Sequence, residues 1–259
     1  MGNKANTRNQ IVEDWNEQFP LLSPYPSISL MMKLDIFLVG IRIERSMYGG
    51  DSYIPRFTCL ALWDTNPDGS LRPLLSQDLT KNNVQVFIHS KDYQSNFMDS
   101  IACAKEQFGF FFKEEVLLSD FFRYIKYYKE VYHYRKLVLS EKVDLFLLQL
   151  ALVSFFNDEK LLKILRKALE RDMKEWNDEQ FRFIYHEDKE SWIEHKLSLL
   201  THREQFMAQV EDNSRHPKVA ILQEGHIIND AETTLALMER QSSILSLLRK
   251  FFPQYKTGE

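Results

Sequence analysis

Cysteine is almost missing from this chain: Cys59 and Cys103 are the only two in 259 residues. Two thiols cannot make the disulfide framework of a small secreted domain. Neither belongs to a CxxC pair, so structural zinc built on thiolates is excluded. Both read as buried thiols in a reducing compartment. Glycine and proline are scarce as well, 8 of each, which leaves no long flexible or proline-rich linker to hold independent units apart. A basic excess is also lacking, since the formal net charge is −4 and the isoelectric point about 6.0. Proteins that live on nucleic acid usually carry surplus cations to neutralise phosphates, so nucleic-acid binding here requires a local patch.

Long apolar runs are absent too. The most apolar segment, Val143 to Phe156, contains Asp144 and Gln149 and falls short of the roughly 20 residues that a membrane span needs. It reads as a buried helix. Met1 to Gln10 is polar, and the first apolar cluster is broken by Pro20, Pro24 and Pro26, unlike a signal peptide. Gly2 is followed at position 6 by Asn, where a myristoylation motif wants Ser or Thr. The expectation is a cytoplasmic protein with no membrane attachment.

Catalytic signatures are missing in turn. There is no GxGxxG, no P-loop, no GxSxG elbow and no kinase signature set, nor the short Arg-to-His spacing of a helical ribonuclease motif. No cofactor is implied. These absences favour a binding protein over an enzyme.

What is present is a large potential core, 44% hydrophobic and 13% aromatic. Thr7 to Gln18 predicts a short helix ended by the proline-rich stretch after Phe19. From Ile36 to Arg45 the residues alternate, with Phe37, Val39, Ile41 and Ile43 on one face, which predicts a half-buried strand. Gly49-Gly50-Asp51 reads as a turn, Tyr53 to Trp63 as a second strand and Val84 to His89 as a third. Pro55 marks an edge or a strand start.

After Lys91 helix signals follow one another. Asp92 or Asn96 opens a helix to about Phe108, and Asp120 opens an aromatic-rich one to about Leu139. Ser140 caps Glu141 to Phe156, and Asn157-Asp158-Glu159 begins Lys160 to Lys174. Asn177 with Gln180 and Ser191 with Glu194 resemble capping boxes. Ala231 to Phe252 predicts a last amphipathic helix, and His216 to Leu222 a short strand or loop. The expected fold class is α+β: a small N-terminal antiparallel β-meander packed against a predominantly helical array centred on Glu141 to Phe156. Residues 1–90 form the β-rich part and 91–259 the helical part of one continuous unit.

Three constellations bear on chemistry. Asp64-Thr-Asn66-Pro-Asp68-Gly69 matches the first half of an EF-hand loop, but position 12 is Leu75 instead of a bidentate Glu, and a strand precedes it. It reads as a turn. His186, Glu190 and Glu194 would lie one turn apart on an unbroken helix, with His195 and His202 two turns apart. Such spacing suits a metal-assisted hydrolase or nuclease, although no HExxH string is present and no metal is implied by it. An apolar stripe (Trp192, Ile193, Leu197, Leu200, Phe206 and Met207) runs beside these polar groups.

The third constellation is basic. Lys160, Lys163, Lys167, Arg171 and Lys174 follow 3-4-4-3 spacing in one narrow stripe, with Leu161, Leu165, Ala168, Leu169 and Trp176 nearly opposite. The preceding aromatic helix adds Arg123, Lys126, Lys129, Arg135 and Lys136 among Tyr124, Tyr127, Tyr128, Tyr132 and Tyr134. Basic residues beside aromatic faces can follow a phosphate backbone or meet an acidic protein surface. Asp158, Glu159, Glu170, Asp172 and Glu175 dilute the field, which ranks a protein partner above nucleic acid. Arg123, Tyr127 and Tyr128 join the stripe as candidate partner-binding residues. An immunity or antitoxin-type inhibitor that occludes a partner is one role compatible with this composition. Phe110, Phe111, Phe112, Phe121 and Phe122 read as core.

Overall fold

A computed structural model describes residues 4–26, 28–46, 52–65, 69–82, 84–89, 93–132 and 136–238, with side chains from Gln10 onward. The fold is α+β. The chain divides into two units, Met1–Val116 with Glu204–Ile227, and Leu117–Arg203 with Ile228–Glu259.

In the first unit α1 (Lys4–Gln18) precedes the short β1 (Ser23–Tyr25) and then a meander of β2 (Ser29–Leu34), β3 (Phe37–Arg45), β4 (Ser52–Thr65) and β5 (Leu71–Asp78). The meander is antiparallel throughout. Two of its strands follow the predicted pattern. Two others carry no alternation to read. β2, Ser-Leu-Met-Met-Lys-Leu, is buried on both faces, and β5 is interrupted by Pro73, which an edge strand tolerates. The predicted third strand divides into β7 (Val84–Gln85), paired with β6 (Thr80–Lys81), and β8 (Ile88–His89), which pairs with the start of β4.

The sheet order is β5-β4-β3-β2-β10-β9, with β9 at Glu115–Leu117 and β10 at Glu224–Ile228. β10 runs parallel to β2. The stretch expected as strand or loop, His216 to Leu222, instead contains the helical turn α9 (Pro217–Ala220), with the strand just beyond it. Proline at the first helical position accounts for this, because its fixed φ starts a helix and its missing N–H costs nothing there.

Aromatic contacts pin the helices to this sheet. Phe57 of β4 stacks on Phe108 of α2 (Tyr93–Phe108) at 4.5 Å and on Phe111 at 5.0 Å. Trp15 of α1, fully buried, contacts Phe19 and Phe97. Within α8 (Arg203–Ser214), Phe206 meets Trp63, and Asn213 donates to the Leu62 carbonyl at 2.6 Å. Such pairs add to the burial of large apolar area.

The second unit is helical, with α3 (Leu118–Val131), α4 (Leu139–Phe156), α5 (Glu159–Asp172), α6 (Asp178–Tyr185) and α7 (Lys189–Thr201). α4 is its axis, touching α3, α5, α6 and α7. A helix apolar on nearly every side has no solvent face and must be surrounded. Gln149 sits buried on it, its amide donating to the Leu145 carbonyl at 3.0 Å.

Several helix boundaries differ from the sequence expectation. α4 begins at Leu139 and not after Ser140, because the Glu141 carboxylate accepts the Val138 N–H at 3.0 Å. α3 ends at Val131 instead of reaching Leu139, and opens at Leu118, so Asp120 lies in its first turn. α7 is capped by Asp188, which accepts from Ser191 N–H at 2.9 Å, three residues before the expected box. The predicted caps Asp158 and Asn177 accept from Leu161 N–H at 2.9 Å and Gln180 N–H at 2.8 Å. The chain is helical at 231–238. The rest of the predicted last helix, the Gly49-Gly50-Asp51 turn, Asn66 to Asp68, Asp92, Tyr134 and Arg135 lie outside the described residues.

Candidate partner-binding surface

The basic stripe follows from the way α5 buries its other side. Leu161, Leu165 and Leu169 recur every four residues and are 0%, 3% and 4% exposed, so their face lies against the unit's core. The opposite face is turned to solvent. Lys160, Lys163, Lys167 and Lys174 are exposed on it, Lys174 from a single 3-10 turn (Met173–Glu175) that extends α5. Among the described residues these four lysines form no ion pair. Arg171 differs. It is half-buried, and its Nε lies 3.6 Å from the Asp172 carboxylate, so part of its charge is spent within the helix.

One cation escaped the spacing argument. Arg166 is exposed, and with Leu162, Lys163, Lys167, Glu159 and Glu170 it lines a shallow open groove along the outer face. Its place three residues after Lys163 is a signal that a narrow stripe template passes over. Three cations against two carboxylates leave the groove with a surplus of one positive charge, and Lys160 and Lys174 prolong it.

α3 contributes less than the sequence suggests. Arg123 is engaged by Asp120 at 2.5 Å and Lys126 lies 3.8 Å from Glu130. Tyr127 is 48% exposed, but Tyr128 is 5% exposed and packs in the core with Tyr124 and Tyr132. Tyr128 therefore drops out of the candidate surface: on a helix with one buried face, adjacent residues point about 100° apart. Lys129 turns inward to a cavity lined by α4 and α5. Phe121 and Phe122 are core as expected, and so are Phe111 and Phe112 in the sheet unit, whereas Phe110 is only half-buried.

The histidine cluster is not assembled. His186 ends α6 in the left-handed conformation, with φ of 58°, and Asp188 restarts the chain as the cap of α7. The helix is thus broken between His186 and Glu190, and His186 does not share a face with Glu190 and Glu194. A second break follows at His202, where α7 stops; its Nδ1 lies 2.6 Å from the Ser198 carbonyl. Trp192, Ile193 and Leu200 then belong to α7, and Phe206 to α8, in place of one continuous stripe. His186, Glu190, Glu194, His195 and His202 are all exposed. Among the described residues, no three His, Cys, Asp or Glu side chains come together in a group that could hold a metal ion.

Other reactive groups have structural places. Cys59 and Cys103 are buried free thiols. Burial pushes both thiols up, away from the thiolate form that attacks or binds metal. Ser52 Oγ lies 2.7 Å from His89 Nδ1, a pairing that sequence distance concealed. The two residues are opposite rungs of β4 and β8. The further described contacts of His89 are the Phe87 ring and Asn96, which accepts its backbone N–H. Neither is the carboxylate that orients a catalytic base. Asp64, the first position of the partial EF-hand string, sits 3.6 Å from Arg72 across the β4–β5 connection. No helix among the described residues is long and apolar enough to cross a membrane. No protein-family model, curated protein or solved structure matches the chain.

Proposed function

We propose that this protein is a non-enzymatic binding protein whose α5 outer face meets an acidic surface of a protein partner. The observation that carries the reading is the row of exposed lysines, Lys160, Lys163, Lys167 and Lys174, none of them paired among the described residues. Lysines already paired with neighbouring carboxylates offer little to a partner, whereas unpaired ones on an otherwise acidic protein steer association toward negative potential. An immunity or antitoxin-type inhibitor that occludes its partner is one form of this role. On α3 the exposed Tyr127 is of the residue type that anchors interfaces, while Arg123, held by Asp120, contributes less.

The experiment is capture of partners from native cells with the tagged chain and with Lys163→Glu/Arg166→Glu/Lys167→Glu, followed by association kinetics over a salt series. The expected result is one stoichiometric protein retained by the wild type and lost, or bound with slowed association and a flatter salt dependence, by the triple variant. Equal capture and equal kinetics remove the α5 face from the account. Recovery of RNA or DNA, with a steep fall of affinity in salt, replaces the protein partner by a nucleic acid.

A further inference from the structure

The shallow groove on α5 opens to about 470 Å³. That is the size of a ligand pocket, but a pocket buries most of its ligand's surface, and all six residues around this groove belong to one helix. A single helix encloses nothing, so a small molecule here would stay in water. The element that suits the groove runs along α5 and takes its affinity from a row of contacts.

Around the axis, at about 100° per residue, the lining follows a fixed order. Half-buried Leu162 borders the core-facing side, Arg166 comes next, then Glu159 and Glu170 in line, then Lys163, and then Lys167. The groove thus has an apolar edge and a cationic edge. The five charged groups are exposed, and none of them forms an ion pair among the described residues. Glu159 with Lys163 and Arg166 with Glu170 stand at i,i+4, a spacing that suits ion pairs within a helix. Both pairs are open, which leaves these charges to a partner.

The spacing along the axis separates a helix from a strand as the occupant. At about 1.5 Å per residue, Lys163 and Lys167 lie about 4.5 Å and 10.5 Å beyond Lys160. Carboxylates three and four residues apart on a second helix recur in the same steps and meet each lysine. A strand presents a residue to one side only about every 6.7 Å, and so falls about 2 Å out of step at Lys163 and 3 Å at Lys167.

We infer that the α5 groove docks an acidic amphipathic helix of a partner protein, laid along α5. Its apolar side covers Leu162, its carboxylates meet Lys163, Arg166 and Lys167, and a cation near either end meets Glu159 or Glu170. The inference rests on the outer face of α5 being the partner surface, and it adds which element the partner presents. Helices that lie in grooves are recognised through anchors at i, i+3, i+4 and i+7. A second copy of α5 is the wrong occupant, because it sets a row of lysines against a row of lysines.

The test is fluorescence anisotropy of two labelled peptides with the whole protein over a salt series. One peptide of about 18 residues, five helical turns, carries glutamates at three- and four-residue spacing beside a row of leucines, with a lysine near each end. The other is its scrambled isomer, with the same composition and charge but no continuous face. The expected result is that the wild type binds the patterned peptide roughly ten-fold or more tightly than the isomer, with an affinity that falls as salt rises. Lys163→Glu/Arg166→Glu/Lys167→Glu removes that binding. Leu162→Gln, which keeps a good helix former, weakens the patterned peptide roughly three-fold or more and leaves the isomer unchanged. Equal binding of both peptides, lost in the triple variant, means that the face reads charge without helical register; it overturns this inference and leaves the acidic protein partner standing. No binding of the patterned peptide up to about 1 mM overturns it equally. Tighter binding of a single-stranded oligonucleotide of the same charge overturns both the helix and the protein partner. If Leu162→Gln fails to fold, the comparison of the two peptides on the wild type decides.

Discussion

The Asp35 carboxylate accepts the backbone N–H of Ile227 at 2.6 Å, joining residues 192 positions apart. Its other oxygen lies 3.1 Å from His226 Nδ1. Asp35 occupies the tight turn between β2 and β3 with φ of 47°, a conformation that Asp and Asn tolerate better than most residues. The turn thus holds β10, which returns from far along the sequence to lie parallel to β2.

Removing this carboxylate is expected to loosen β10 specifically. Asp35→Ala leaves the Ile227 amide without its acceptor and places a less tolerant residue at positive φ, at a cost of about 2–3 kcal/mol. Asp35→Asn keeps both the conformation and an acceptor, and costs less. Urea unfolding ranks the two variants, and amide exchange at Ile227 should quicken in Asp35→Ala beyond the global change. Equal loss in both variants would show that charge alone, with no directed hydrogen bond, holds the strand.

At Gly40 the neighbouring strand β2 leaves no room for a side chain. A Cβ built there overlaps the Leu30 carbonyl oxygen and the Met31 side chain, and Gly40 is the register partner of Met31. The carbonyl cannot swing aside without breaking the ladder, so Gly40→Ala is expected to cost at least about 1–3 kcal/mol. Gly69, whose Cβ would meet open space but whose φ is 78°, supplies the contrast. Gly69→Ala strains only its own backbone, and Gly69→Asn should restore most of the loss, while no side chain restores Gly40. Denaturant midpoints of the three variants check this.

The parts of the fold legible in the sequence were those where one face is buried and the other is not. Phe37, Val39, Ile41 and Ile43 announce β3 because Arg42 and Arg45 are exposed and Glu44 is only half-buried. Leu161, Leu165 and Leu169 announce α5 for the same reason, and with it the basic face. β2 offers no such contrast, since five of its six residues are buried. The break between α6 and α7 was hidden differently. His186 to Asp188 is polar enough to continue a solvated helix face, and only the left-handed His186 and the Asp188 cap reveal the stop. The surroundings of Lys129 could not be read at all, because α3, α4 and α5 each supply part of them.

Lys129 gives a pH prediction whose sign is fixed. Burial lowers its pKa in the folded protein from the ordinary 10.5. Below the depressed value both folded and unfolded chains hold the proton, and the full penalty of burying charge is present. Between the two values the unfolded chain binds the proton that the folded chain has released, so stability rises with pH. The wild type should therefore gain stability relative to Lys129→Met on going from neutral pH toward 10.5. Urea midpoints of both proteins over that range measure the difference, which isolates Lys129 from the other lysines. A difference that stays flat would mean that Lys129 titrates as an exposed lysine does.

Tyr127 and Tyr128 are neighbours in sequence with opposite surroundings, 48% and 5% exposed. Tyr128 lies between Tyr124 and Tyr132, with ring centroids 6.4 Å and 4.6 Å away. Truncating it removes a buried ring and leaves a cavity, so Tyr128→Ala is expected to destabilise by about 3–5 kcal/mol. Tyr127→Ala removes a ring from solvent and should change stability by no more than about 0.5 kcal/mol. The two then separate folding from binding. If α3 joins α5 in meeting the partner, Tyr127→Ala weakens capture while its denaturation midpoint stays at the wild-type value. Tyr128→Leu, which retains apolar volume, should still capture as the wild type does. Loss of capture in Tyr128→Leu with a normal midpoint would place the buried ring in the interface and shift the partner surface toward it.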